Sequence, residues 1–130
     1  MEYTLDRSLA RETWATLDAF TQGYIEAAMW TLTDEDGEPM AYLGLHDVAP
    51  ETIATAVEDC KAFQDEHAAL LEQAGNDVQN GHDFWLTRNR HGAGYWDRGY
   101  KDVGQALTDA AHVAGEVDWY VGDNGNVYQS

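Results

Sequence analysis

The chain has 130 residues, with 24 Asp and Glu against 7 Lys and Arg, giving a formal charge of −17. Such a charge repels nucleic-acid phosphates, which are held by basic surfaces that displace counterions, so direct DNA or RNA binding is not expected. A hydrophobic fraction of 44% with 12% aromatics is too apolar for a disordered chain, and the length suits a single domain, 1–130.

Cys60 is the single cysteine, so no intramolecular disulfide can form. The opening MEYTLDRSLARETW has neither the basic start nor the apolar core of a secretory signal, and no run reaches membrane-spanning length. A cytoplasmic protein without membrane contact is the expectation. The acidity has three readings: solubility, adaptation to high salt, or attraction of a basic partner.

The first periodic segment, TWATLDAFTQGYIEAAMWTL, sets Leu17, Phe20, Tyr24, Ala27 and Ala28 on one helical face, with Gly23 as a slight weakness. TDEDGEP, from Thr33 to Pro39, ends it and opens a loop or short hairpin into MAYLGL. The next segment, APETIATAVEDCKAFQDEHAALLEQAGN, predicts a long helix. Pro50 and Glu51 suit its first turn, and Gly75-Asn76 its stop. Its apolar stripe is Ile53, Val57, Cys60, Phe63, His67, Leu70 and Leu71; Glu51, Glu58, Asp65 and Glu72 recur every seven residues opposite.

GHDFWLTRNRHGAGYWDRG alternates in the strand manner, Phe84 and Leu86 against Trp85 and Thr87, so a first β-hairpin turning at NRHG is expected. YKDVGQALTDAAHVAG predicts a helix capped by Gly115, and VDWYVGDNGNVYQS a second hairpin around Asp123-Asn124-Gly125. The expected fold is therefore α+β, an antiparallel sheet of two hairpins packed against about three helices.

HDFWLTRNRHGAGYWDRG, with LTDAAHVAGEVDWYVGDNGNVY downstream and AFTQGYIEAAMW and VAPETI upstream, resembles a group of small acidic proteins. These are accessory proteins of tailed phages and related mobile elements, most without an assigned activity. The likeness runs from about Leu17 onward. It implies a viral setting and a role in host, defence or phage-genome processes, and it carries no catalytic residues with it. The group usually has Asn-Gly at the turn where this chain has Asn89-Arg90. Arginine does not suit left-handed angles, which moves the expected left-handed position to Gly92.

Two surfaces are candidate sites. The first is the acidic helix face, Glu51, Glu58, Asp59, Asp65, Glu66 and Glu72, expected to meet a basic host or defence protein. Carboxylates standing where phosphates would be imitate DNA, although residues seven apart rise about 10 Å, a longer step than phosphates make. The second is the 82–101 hairpin, where His82, Trp85, Arg88, Arg90, His91, Trp96 and Asp97 would form a small enzymatic or nucleotide-binding site. There, pairing of Asp83 and Asp97 with Arg88 or Arg98, and of basic residues with the acidic helix, is the plainer alternative. His46-Asp47 and His82-Asp83 do not make a metal site by themselves. GDNGN and DEDGE lack the six-position ligand pattern of a calcium loop, so neither metal nor cofactor is implied.

Overall fold

The computed structural model describes residues 7–34, 36–40, 42–91, 93–99 and 101–130. Among these residues five α-helices carry the architecture: α1 (Arg7–Thr16), α2 (Ala19–Trp30), α3 (Pro50–Ala74), α4 (Asp77–Arg88) and α5 (Asp102–Ala114). One short antiparallel hairpin, β1 (Trp119–Val121) and β2 (Val127–Gln129), follows them. The fold is thus mostly helical with a two-stranded sheet. The expected α+β sheet of two hairpins on three helices is corrected on this point.

The first expected hairpin is α4 and the segment that folds back along it. Both faces of α4 are buried: Asn80, Gly81, Asp83, Phe84, Trp85, Leu86, Thr87 and Arg88 all lie inside. A helix buried all round leaves no 3.6-residue polarity pattern in its sequence, and its adjacent aromatics pass for a strand. Asn76 caps it by accepting from the Gln79 amide, and Asp77 complements the dipole.

At the other end, the Arg90 amide donates to the Thr87 carbonyl and the His91 amide to the Leu86 carbonyl. This is a Schellman closure, and it places Arg90 itself in the left-handed region at φ 56°. The expected move of that position away from Arg90 is corrected; the proposed alternative, Gly92, lies outside the described residues. The chain then returns. The Tyr95 amide donates to the Thr87 hydroxyl, and the buried Tyr95 hydroxyl donates to the Asn80 carbonyl.

The first helical segment is two helices. Asp18 breaks it and caps α2, its carboxylate accepting from the Thr21 amide at 2.8 Å. Helices α2 and α4 then cross at two glycines. A Cβ on Gly81 would collide with the Phe20 carbonyl, and one on Gly23 with the Val78 carbonyl. Gly23 is therefore a contact point between backbones, not merely a weak helix former.

Around this crossing lies an aromatic core. Phe63 of α3 stacks on Phe84 with centroids 4.0 Å apart, and Phe20, Tyr24, Trp85, Tyr95 and Trp119 complete it. The hairpin closes over the start of α3: the Ala49 amide and the Thr52 hydroxyl both donate to the Val127 carbonyl. Pro50 at the first helical turn, the Gly75 stop at φ 72° and the Asp123-Asn124-Gly125 turn stand where the sequence places them.

Candidate functional site

Arg88 is the centre of the segment singled out from sequence, and it is 4% exposed. Its Nη1 donates to an Asp59 carboxylate oxygen at 2.9 Å and to the Tyr24 hydroxyl at 3.0 Å. Nε and Nη2 donate to the carbonyls of Gly115 and Ala114, the unsatisfied end of α5, and the guanidinium lies 5.0 Å from the Phe84 ring centroid. The geometry joins α2, α3, α4 and α5. Burial pushes the Tyr24 phenol well above its ordinary range, against the opposing pull of Arg88.

A second ion pair, buried on its carboxylate side only, holds the returning segment. Asp83 is fully enclosed, and Arg98 approaches it through Nε and Nη2, the closest contact being 2.9 Å. Arg88 and Arg98 are thus matched by carboxylates, one of them on α3.

The remaining residues of the expected hairpin site do not converge. His82 pairs with Glu26 at 3.4 Å and lines an apolar groove of about 520 Å³ with Trp14, Trp30 and Leu45. His91 lines a different cleft. Trp85 is buried and donates its indole N–H to the Thr31 hydroxyl, whereas Trp96 is 55% exposed and Arg90 is exposed. The Asp97 side chain lies outside the described residues. With its hairpin replaced by a helix, its two central side chains in the core and its histidines on separate clefts, this set forms no single pocket.

On α3, Glu51, Glu58, Asp65, Glu66 and Glu72 are exposed, and Asp59 is half-buried against Arg88. Lys61 sits among them and donates to Asp65 at 2.7 Å, which raises the lysine's pKa. His67 has non-helical angles, φ −124° and ψ 24°, and kinks the helix. Glu72 therefore lies beyond a bend from Glu51 and Glu58, and the row is not a straight copy of a phosphate backbone.

Among the described residues no three His, Cys, Asp or Glu side chains converge as metal ligands. Cys60 is buried, which drives its thiol pKa up and leaves it poorly nucleophilic. No helix among the described residues is long and apolar enough to cross a membrane.

A cleft of about 780 Å³ lies beside the final hairpin. Residues 116–121 line it, opposite the end of α2 and its following loop, Thr31 to Asp34, with Met40, Trp85, Asn89 and His91. Asp34, Glu116 and Asp118 give it three exposed carboxylates, and among the described residues His91 is its one basic lining residue. Sequence reasoning missed this cleft because its walls are about 85 residues apart in the chain. The one local signal is the acid–aromatic run EVDWY, whose alternation by itself indicates only a strand.

In comparison with known proteins, no family model, no curated protein and no solved structure matches this chain.

Proposed function

We propose that this chain is a non-enzymatic binding protein that recognises a basic macromolecular partner through its acidic and aromatic surface. The observation that carries this reading is where the cations go. Of the seven Lys and Arg, Arg88 and Arg98 are taken up by Asp59 and Asp83, and Lys61 by Asp65. Glu51, Glu58, Glu66 and Glu72 of α3 and Asp34, Glu116 and Asp118 of the 780 Å³ cleft stay exposed, on a chain of formal charge −17. Such a field speeds encounter with basic surfaces and repels acidic ones.

The likeness to phage accessory proteins supplies the setting we propose: a host cytoplasm, with a nucleic-acid-handling host or defence protein as the one inhibited. Exposed Trp30, Tyr42, Trp96 and Tyr120 offer aromatic contacts of the kind that anchor interfaces.

The test is affinity capture from host lysate at moderate salt. Wild type is compared with a Glu58→Lys, Asp65→Lys, Glu72→Lys variant and with a Glu116→Lys, Asp118→Lys variant. A basic nucleic-acid-handling protein retained by wild type, lost on charge reversal and released by salt is the expected result. The same protein retained by all three chains, or none by any, would overturn the reading.

A further inference from the structure

We propose that the outer edge of β1 is the docking site for an extended segment of the partner, one that alternates apolar with Lys or Arg residues and joins the hairpin as a third strand. This rests on the basic-partner reading above and gives it a place.

The register shows which groups are free. The Gly122 amide donates to the Asn126 carbonyl and the Ser130 amide to the Asp118 carbonyl, while Tyr120 faces Tyr128. Hydrogen-bonded pairs in an antiparallel ladder alternate with non-bonded ones. Residues 118, 120 and 122 therefore turn their backbone groups toward β2, and Trp119 and Val121 turn theirs away. Val117 lies on the same outward side, and there the Asn89 side chain accepts its amide at 2.8 Å. Among the described residues, no hydrogen bond reaches the outward amides or carbonyls of Trp119 and Val121. On the far side of the sheet, β2 is already flanked, because Val127 bridges Val48. β1 thus presents an open edge at Trp119 and Val121, and such an edge is a template for an added strand.

That edge runs along the 780 Å³ cleft, which residues 116–121 line without a gap. The cleft also selects the occupant. A strand laid against β1 turns alternate side chains to opposite faces. Half-buried Met40, Val117 and Val121 offer apolar contact in this cleft, while Glu116 and Asp118 offer carboxylates in no ion pair among the described residues, beside Asp34, whose carboxylate also accepts the Asp36 and Glu38 amides. A second copy of this chain is a poor occupant, since its β1 would bring two further carboxylates, Glu116 and Asp118, to a cleft already lined by Asp34, Glu116 and Asp118.

The experiment uses the full chain and a fluorescein-labelled peptide, acetyl-KVKVKVK-amide, read by polarisation and by backbone amide shifts and exchange. Val121→Pro removes the outward donor while leaving the bonds to β2, the position at which an edge strand tolerates proline. The expected result is at least a tenfold rise in peptide Kd for Val121→Pro, and slowed exchange of the Trp119 and Val121 amides when the peptide binds wild type. If Val121→Pro does not fold, a peptide N-methylated at alternate residues, set against wild type, removes the same ladder and is expected to bind at least tenfold more weakly.

Equal binding by the variant or by the N-methylated peptide overturns the edge proposal. Salt-sensitive binding with shifts confined to Glu51, Glu58 and Glu72 also overturns it, while leaving the acidic-surface reading intact. No binding of KVKVKVK, or equal binding of EVEVEVE, sinks both. Sedimentation as a dimer that Val121→Pro dissociates would make a second copy the occupant and overturn the proposal.

Discussion

Replacing Arg88 with Met keeps the length and most of the volume of the side chain but removes its four hydrogen bonds. It leaves the Ala114 and Gly115 carbonyls at the end of α5 without their donor, and Asp59 without its cation. Removing one member of a fully buried pair costs about 3–5 kcal/mol. The Asp59 side chain is 32% exposed, so water takes over part of its solvation and the loss there is smaller. The two lost bonds to the part-exposed carbonyls of Ala114 and Gly115 add roughly 0.5–1.5 kcal/mol each. The sum is about 3–4 kcal/mol, a large share of the ~5–15 kcal/mol that holds a domain together. Urea unfolding of Arg88→Met, followed by near-ultraviolet circular dichroism, should show this as a lower midpoint at unchanged slope. Adding Asp59→Leu should recover part of the loss, because the uncompensated carboxylate goes with it. A loss under about 1 kcal/mol for Arg88→Met would refute the reasoning, since the guanidinium would then not be the tie among four helices.

Gly81→Ala places a methyl against the Phe20 carbonyl, a backbone atom that cannot rotate away, and should cost about 3 kcal/mol or more in thermal or urea unfolding. Arg90→Gly should stabilise by roughly 0.5–1 kcal/mol, because relief of the left-handed angle exceeds the added freedom of glycine in the unfolded chain; a destabilised variant would contradict the capping geometry. At Asp18, partial burial raises the pKa, but hydrogen bonds from Thr21 and Gln64 outweigh it and hold the carboxyl below its ordinary range. Its stabilisation is then present above the unfolded value of about 3.9 and is lost as pH falls through the lower folded value. Asp18→Ala should cost about 1 kcal/mol at pH 7, with the gap to wild type narrowing in unfolding curves taken at successively lower pH below about 3.9.

What was legible in the sequence is what one segment decides alone. Helix α3 announces itself because one face is solvated, with Pro50 at its first turn and Gly75 at its stop. The final turn reads directly from Asp-Asn-Gly. Helix α4 was illegible for the opposite reason. With neighbours on every side it carries no polar face, and its charged residues, Asp83 and Arg88, owe their places to partners 15 and 29 positions away. Gly23 reads as a slight weakness, and Gly81 carries no signal in its own segment, because the backbone each one approaches belongs to another helix. The acidic candidates were found, but the division among free Glu51 and Glu58, paired Asp59, and Glu72 past the kink depends on tertiary geometry. The cleft could not be read at all, for its walls meet only when the last hairpin docks.

That docking sets a timetable for synthesis. Thr52 and the Val127 carbonyl it binds are separated by 75 positions. At about 5–20 residues per second, a ribosome needs roughly 4–15 s to make the intervening chain. Throughout that interval the start of α3 lacks the strand that covers it, and the edge proposed to receive a partner does not yet exist. A nascent chain stalled before Val127 should therefore remain an easy substrate for proteases and chaperones, and competence to bind should arrive late and all at once.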